Sequence, residues 1–474
     1  TITIASGDAT GSTAAELTTI SNATTVAVDA SAVTGLASDT AANIKTLLTA
    51  GNDTAQFTGA SFESLATAVV SDTTLSGSDL AGAIDQANTA TGGTGTVFTI
   101  TDASEITGSE ANFTDLLTDE GNSQIDISNQ NLTVNTGEVS VSTARTLSGT
   151  TTGTVTGTIT SGTTIAAMLD SSSGLTETDA YTITIAAGDA EVTATNLTAL
   201  YGKTSVAVDA SAVTQITGTV AEANIVYGAG SSEITGLGNE AVVTTESSLA
   251  DVTALNTLDG STTGTVNTGS ITSITGSLAD LLTAYGSNGI TGLGNEAITV
   301  SDTTSLAASD LNSLDSKTSG LITLDTTLAT LTGTVAELNT AYGSSGLSIE
   351  GDEAITISDT TVDAEALNVL NNYTSGVINA DTLTKLTGTL VDVNVAFAAD
   401  APASGATISG LGDQDVELTD TNILAADLDT LNGYTTGNVD ATTVEVMEGS
   451  IEILNNVYAG FAISSDGISG LGNE

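Results

Sequence analysis

Residues 292–348 read GLGNEAITVSDTTSLAASDLNSLDSKTSGLITLDTTLATLTGTVAELNTAYGSSGLS, and this stretch is one copy of a unit that recurs through the second half of the chain. The glutamate of its first motif recurs, with separations of 56, 57, 61 and 60 residues, at Glu240, Glu296, Glu353, Gln414 and Glu474. A glycine marker keeps a similar step at Gly218, Gly276, Gly333, Gly388 and Gly449. Two independent markers with one step predict an array, in which each unit buries its apolar face against its neighbours.

The first half of each repeat combines a strand pattern with a short helical pattern. Residues 297–300 alternate between small or polar and branched apolar side chains, which is typical of a strand with one buried face. Ala307, Leu311 and Leu314 follow at steps of four and three, so they share one face of a predicted helix. This half therefore predicts one strand and one helix.

The second half repeats that arrangement and carries helix boundary signals. Residues 321–324 predict a strand, and one helical face is formed by Leu331, Val335, Leu338 and Tyr342. Thr334 and Glu337 match a capping box, which marks a helix start. Gly343 predicts a left-handed C-cap at the helix end.

Strand, turn, helix and turn at this spacing predict an α/β solenoid of stacked parallel strands with short helices or helical turns. We expect about 27 residues per coil and two coils per repeat of about 57 residues, which makes on the order of 17 coils. At about 4.8 Å per coil, such a stack is roughly 80 Å long. The alternative is an all-β right-handed β-helix, in which the helical patterns are only turns.

The repeats extend over the whole chain with a change in regularity. TITIASGD at residues 1–8 returns as TITIAAGD at residues 182–189, and VAVDASAVT occurs at residues 26–34 and 206–214. We therefore interpret residues 1–180 as divergent solenoid repeats that continue into the regular repeats of residues 181–474. The chain starts without Met and stops within a repeat marker, so we interpret it as a segment of a longer protein.

The charge and the missing residue types exclude several functional classes. A net charge of −52, from 57 acidic and five basic residues, leaves no cationic surface for nucleic acid or for an anionic membrane. No apolar run is long enough to span a membrane. The chain has no His and no Cys, which removes most nucleophile–base pairs and thiolate or imidazole metal sites. We expect that the protein is not an enzyme.

Acidic residues recur at fixed places after the predicted strands and at the glycine-rich corner. As candidate calcium ligands we name Asp302, Asp359, Asp420, Asp209, Asp325, Asp440, Glu240, Glu296 and Glu353. Stacked like charges repel one another unless a cation lies among them, and calcium prefers oxygen ligands. The alternative is turn chemistry, in which Asp and Asn cap the N–H groups of the next backbone segment.

The GLGNEA corner is similar to the G-G-x-G-x-D turns of secreted calcium-binding β-rolls. Gly292, Gly294 and Glu296 fit the turn and carboxylate positions, and glycine permits turns with positive φ. The corner occurs once per repeat rather than in tandem, which weakens the calcium analogy.

Aromatic residues also recur, as Tyr227, Tyr285, Tyr342, Phe397 and Tyr458. We expect them to close the apolar faces of the helices, with their hydroxyls at the surface.

The repeat as a whole resembles the units of very large secreted cell-surface proteins of marine bacteria and cyanobacteria, one of which is tied to swimming. The resemblance covers residues 181–474 best. It implies secretion, a location at the cell surface, a stalk, coat or appendage role, and calcium dependence, and it supplies no catalytic residues.

These observations predict an extracellular structural module that forms a stiff acidic rod stabilised by calcium. Its expected partners are neighbouring repeats or copies of itself. One alternative is a self-assembling subunit of an extracellular filament or surface layer, because open sheet edges pair with another copy. The other is an adhesin whose repeated face binds cell-surface glycans.

Overall fold

The structure is a computed structural model that describes residues 1–93, 95–176, 178–400, 405, 407–461 and 467–472. The chain divides into two compact units, Thr1–Val242 and Val243–Glu474. In both, many short parallel strands alternate with helices. The predicted α/β class and its solenoid-like repetition are confirmed, and the helices rule out the all-β alternative.

The first unit contains eight α-helices in its described residues. The helices are α1 Ala14–Asn22, α2 Ala41–Gly51, α3 Gly77–Thr91, α4 Glu110–Gly121, α5 Val141–Thr150, α6 Ile165–Leu169, α7 Ala194–Tyr201 and α8 Val220–Gly228. The strands are β1 Ile2–Thr3, β2 Val28–Asp29, β3 Gly35–Asp39, β4 Thr67–Val70, β5 Leu75–Ser76, β6 Val97–Ile100, β7 Glu105–Ser109, β8 Asn131–Thr136, β9 Val155–Thr158, β10 Ala180–Thr182, β11 Glu191–Thr193, β12 Val208–Asp209, β13 Gln215–Gly218 and β14 Ile234–Thr235. Strand β15, Ala241–Thr244, spans the division.

The second unit also contains eight α-helices in its described residues. They are α9 Val252–Asp259, α10 Leu278–Gly286, α11 Ala308–Asp315, α12 Val335–Gly343, α13 Ala364–Tyr373, α14 Leu390–Ala399, α15 Ala425–Tyr434 and α16 Ile451–Phe461. The strands are β16 Ser248–Leu249, β17 Val266–Asn267, β18 Ser273–Gly276, β19 Ile290–Thr291, β20 Ala297–Val300, β21 Ser305–Ala307, β22 Ile322–Leu324, β23 Thr330–Gly333, β24 Leu347–Ser348, β25 Ala354–Ile357, β26 Thr361–Asp363, β27 Ile378–Asn379, β28 Lys385–Gly388, β29 Ile408–Ser409, β30 Asp415–Leu418, β31 Asn422–Leu424, β32 Val439–Asp440, β33 Val446–Glu448 and β34 Ile468–Ser469.

Fifteen of the described strands of the second unit form three parallel ladders of five, and β31 pairs with β33. Their orders are β16-β18-β20-β22-β24, β21-β23-β25-β27-β29 and β26-β28-β30-β32-β34. The repeat that was predicted to hold two strands, residues 297–353, holds five, β20 to β24. Its two predicted helices are both present, as α11 and α12.

The strands of one ladder do not keep the same position within the repeat, because two ladder steps cover fewer residues than one repeat. Ile298 pairs with Ile322, and Ile322 pairs with Leu347, so two steps cover 49 residues. The repeat equivalent of Ile298 is Ile355, which lies eight residues beyond Leu347. The first strand of a ladder directly precedes a helix, as β21 does, and its fifth and last strand follows a helix, as β29 does.

The core of the second unit follows the predicted periodicities. In β20, Ile298 and Val300 are buried while Ala297 and Thr299 are exposed. In α12 the buried side chains are Val335, Leu338 and Ala341. One face of each ladder therefore packs under helices while the other carries threonine and small residues toward water.

The boundary signals of the second predicted helix are correct at its start and wrong at its end. Thr334 and Glu337 form the reciprocal capping box. Leu331 belongs to β23 rather than to the helix. Gly343 is helical and is followed by Ser344 in extended backbone, so the predicted left-handed C-cap is absent.

The first unit uses the same parallel pairing, with helices that range from five residues in α6 to 15 residues in α3. Its larger ladders are β10-β9-β8-β7-β5 and β3-β4-β6. Phe57 and Phe62 fill its core with ring centroids 5.3 Å apart. No helix among the described residues is long and apolar enough to cross a membrane.

Candidate functional site

Three of the predicted acids connect consecutive coils. A carboxylate oxygen of Asp302, Asp359 or Asp420 accepts a hydrogen bond from the first backbone N–H of an earlier helix. The donors are Leu278 at 2.7 Å, Val335 at 2.8 Å and Leu390 at 2.6 Å, in that order. In the first unit, Asp72 and Asp189 accept in the same way from Ala41 and Ile165, both at 2.7 Å.

These bonds satisfy helix ends that the chain would otherwise leave unpaired. At the start of α12, Thr334 accepts from the N–H of Glu337 and Asp359 accepts from the N–H of Val335. The carboxylate also lies at the positive end of the helix dipole. These hydrogen bonds are of the capping kind that the sequence offered as one alternative, but the capped helix precedes the aspartate by 24 or 30 residues instead of following it.

A second set of acids closes its own turns. Asp209, Asp325 and Asp440 each accept from the backbone N–H two residues later, at 3.0, 2.8 and 3.0 Å. Asn267 and Asn379 make the same bond in other copies. This is the local turn chemistry that the sequence offered as the alternative to calcium.

Hydrogen bonds in these turns favour the ionised carboxylate. The pKa of Asp325 is lowered from its usual value by bonds from the hydroxyl and backbone N–H of Thr327. The pKa of Asp440 is lowered by the same two groups of Thr442. Ser211 lowers the pKa of Asp209, first through its backbone N–H.

The third set, the corner glutamates, is buried. Glu240, Glu296 and Glu353 are each at most 3% exposed. Each accepts from a tyrosine hydroxyl near the end of the preceding helix, and the donors are Tyr227 at 3.0 Å, Tyr285 at 2.7 Å and Tyr342 at 3.2 Å. For these three tyrosines the expectation of a hydroxyl at the surface is wrong, because the buried carboxylate needs a donor.

Glycine N–H groups complete the glutamate corner. Gly238, Gly294 and Gly351 donate to the same carboxylate oxygen as the tyrosine, at 2.8, 2.8 and 3.1 Å. Gly292 and Gly294 have φ of 94° and 134°, as the corner prediction required. Burial, then the hydrogen bond and charge of Glu296, raise the pKa of Tyr285 far above its usual value, so the hydroxyl remains a donor.

The fourth corner replaces both members of the pair. Phe397 stands at the tyrosine position and Gln414 at the glutamate position. Gln414 is 1% exposed, and its amide oxygen accepts from Gly412 at 2.7 Å. Its amide nitrogen donates to the carbonyls of Leu383 and Gly410 at 3.1 and 2.8 Å. The hydroxyl and the charge are thus lost together.

A glycine of the next coil, which was not predicted from the sequence, lies against each corner. A Cβ added to Gly320, Gly376 or Gly437 would overlap the backbone carbonyl of Glu296, Glu353 or Gln414 respectively. Thr374 and Thr435, two residues before their glycines, donate to the last two carbonyls at 3.2 and 2.7 Å. The recurring T-[ST]-G at residues 262–264, 318–320, 374–376 and 435–437 was the available signal.

An asparagine ladder, which was not predicted from the sequence, runs along the helices. A side-chain amide on one helix donates to a backbone carbonyl in the first turn of the next helix, at 2.9 to 3.1 Å. The donors are Asn256, Asn312, Asn339, Asn368 and Asn394. Their signal was an asparagine at the same place in five helical patterns.

The structure places the nine predicted ligands in three separate sets and supplies a protein donor to every one. Within the part of the chain that the structure describes, no group of three or more Asp, Glu, His or Cys side chains is arranged to hold a metal. A carboxylate still has lone pairs to offer an ion, so calcium binding stays a prediction. The first set of acids joins neighbouring coils, the second closes local turns, and the third closes the glycine-rich corners.

The aromatic residues also pair between neighbouring helices. Tyr342 stacks on Tyr373 with ring centroids 5.7 Å apart, and Phe397 stacks on Tyr434 at 6.2 Å. Each pair joins the ends of two consecutive helices.

No protein-family model matches the chain, and no curated protein is significantly similar to it in sequence.

Proposed function

We propose that the chain is a non-catalytic structural module of an extracellular cell-surface protein, in which stacked coils of about 27 residues form a stiff acidic rod. The observation that carries the proposal is the use of the repeated polar side chains. The aspartate caps, the tyrosine–glutamate corners and the asparagine ladder all bind protein groups, and the caps and the ladder bind a neighbouring coil. A module of this kind serves as a stalk, coat or appendage.

The charge supports a location in a salty medium outside the cell. A net charge of −52 keeps neighbouring molecules apart and hydrated. Calcium stabilisation is part of the same proposal, because ions at the carboxylates would reduce repulsion between coils. The expected result is a higher melting temperature in calcium that chelator reverses. An equal rise in sodium chloride of the same ionic strength would show general screening and would contradict a calcium site.

Two experiments test the proposed role. Immunogold labelling of intact source cells, with an antibody raised against this chain, is expected to place gold outside the cell. Labelling that requires permeabilised cells would contradict the location. Negative-stain electron microscopy of the purified chain is expected to show single rods roughly 80 Å long, and compact spheres would contradict the rod.

A further inference from the structure

We infer that the contact between helices α3 and α4 in the first unit is a pH-sensitive joint, which tightens when a buried carboxyl group of α4 takes up a proton. The group is Asp119, near the C-terminal end of α4, and only 7% of its surface is exposed. Burial of an ionised carboxylate is costly unless hydrogen bonds or an opposite charge compensate it. The behaviour of the joint therefore depends on what surrounds Asp119.

The surroundings of Asp119 supply like charges instead of donors. No described residue donates a hydrogen bond to its carboxylate. Asp115 lies one turn earlier in α4, and residues four apart are neighbours on the surface of a helix. Asp85 approaches from α3. Because Asp85 and Asp115 are exposed, Asp119 is the member of the three that water does not stabilise.

A pair of side-chain amides holds α3 beside the end of α4. The Nε2 atom of Gln124 donates to Oδ1 of Asn88 in α3 at 2.6 Å, and Nδ2 of Asn88 donates to Oε1 of Gln124 at 3.3 Å. The backbone N–H of Gln124 donates to the carbonyl of Asp119 at 2.9 Å. Asp85 lies three residues before Asn88, so it shares the face of α3 that this amide pair turns toward Asp119.

The other charged groups of the neighbouring elements are engaged away from Asp119. Those on α3, α4, α5 and β7 have these partners: Asp79 with Lys45 of α2, Glu105 with the hydroxyl of Thr133, Glu110 with the backbone N–H of Ser140, Glu120 with the backbone N–H of Ile127, and Arg145 with the carbonyl of Gly174. Neither basic side chain of these helices is therefore directed at the three aspartates.

This arrangement sets the direction of the pH response. Burial, then the charges of Asp85 and Asp115, raise the pKa of Asp119 to about 6, against 3.8 in the unfolded chain. The ionised group destabilises the folded state above pH 6, and this loss is relieved as the pH falls through 6 toward 3.8. The sign is opposite to that of Asp325, whose contribution to stability is lost in acid. A mildly acidic medium thus tightens the joint.

Thermal melting of the whole chain at about pH 7.5 and about pH 5, on either side of the pKa, tests the inference. Asp119→Asn keeps the shape of the side chain and removes its charge. It is expected to raise the melting temperature of the first unit by about 3 °C at the higher pH and by much less at the lower pH. Glu63→Gln, which removes one charge at an exposed position of the same unit, is the matched control and is expected to have the same small effect at both.

Hydrogen exchange measured by mass spectrometry locates the effect. After correction for the intrinsic pH dependence of exchange, α3 and α4 of the wild type are expected to be about tenfold better protected at the lower pH, and those of Asp119→Asn equally protected at both. Asp115→Asn removes one like charge and is expected to move the wild-type midpoint to lower pH.

Two results would overturn the inference. One is an Asp119→Asn variant that stabilises the first unit equally at both pH values, which would indicate a role for the side chain other than its charge. The other is wild-type protection of α3 and α4 that does not change with pH. The wild-type measurement needs no variant, so it decides the question even where a variant fails to fold.

Discussion

The corner at Tyr285 and Glu296 differs from the corner at Phe397 and Gln414 in one hydroxyl and one charge. Both glutamate positions are buried, and both accept from the glycine two residues earlier. Where the aromatic residue has no hydroxyl, the acid becomes an amide that donates to backbone carbonyls. Aspartate and asparagine, in contrast, exchange in the exposed turns without a compensating change. Burial therefore decides which acids of this chain need a specific partner.

The largest expected effect tests what the two corners share. Gly320→Ala places a methyl group on the carbonyl of Glu296 and is expected to lower the free energy of unfolding by about 3 kcal/mol. Gly437→Ala tests the fourth corner in the same way. Gly343→Ala, in a helical position where the added methyl group would make only ordinary van der Waals contact with the Tyr373 hydroxyl at 3.7 Å, is the control and is expected to be neutral or slightly stabilising. Equal urea midpoints for Gly320→Ala and Gly343→Ala would refute this account of the corner.

The next effect tests the link between hydroxyl and charge. Tyr285→Phe removes a hydrogen-bond donor from buried Glu296 and is expected to cost about 2 kcal/mol. The same change in a Glu296→Gln background is expected to cost less, because the double variant reproduces the pair at Phe397 and Gln414. A double-mutant cycle from urea unfolding measures the coupling. Additive losses would mean that the two positions vary independently.

A smaller effect concerns a contact that both regions keep. Asp359→Ala leaves the first N–H of α12 without its acceptor and is expected to cost about 1 kcal/mol. Asp420→Ala is expected to cost the same at α14. Asp359→Asn keeps an acceptor oxygen and should lose less. Glu350→Ala, at an exposed position, controls for the loss of charge. Identical urea midpoints for Asp359→Ala and Glu350→Ala would remove the aspartate bridge from the account.

The smallest effect distinguishes the exposed turns from the corners. The folded-state pKa of Asp325 is lowered, so its contribution to stability is complete above the unfolded pKa of 3.8 and is lost as the pH falls through the folded pKa. Asp325→Asn keeps the turn and is expected to remove this part of the acid sensitivity. Thermal melting from pH 5 down to about pH 2 measures the difference. A wild type and variant that lose stability in parallel would contradict the assignment.

The sequence predicted the local structure well because periodicity and capping are local properties. Strand 297–300, the buried faces of the helices and the capping box at Thr334 follow from neighbouring side chains. The five-strand ladders do not follow from neighbouring side chains. Two ladder steps cover eight residues fewer than one repeat, and this difference depends on which strands pair with each other. No pattern within one repeat contains that information.

The sequence identified the acidic residues of the candidate site but not the groups that donate hydrogen bonds to them. All nine acids proved to be hydrogen-bonded, but their donors lie two residues away, in the preceding helix or in an earlier coil. Comparing the copies with one another would have found the corner partner, because in the sequence tyrosine occurs with glutamate in four repeats and phenylalanine with glutamine in one. The aspartate caps leave no such trace, because their donors are backbone groups.

Deleting residues 297–353 is the most direct test of the claim that the 57-residue repeat is a self-contained pair of coils. The deletion joins Glu296 to Ala354, which restores the sequence NEAIT at the seam. Small-angle X-ray scattering is expected to show a particle shorter by about 10 Å, or two coils, with an unchanged circular dichroism signal per residue. Loss of the helical signal, or a particle of unchanged length, would contradict the account.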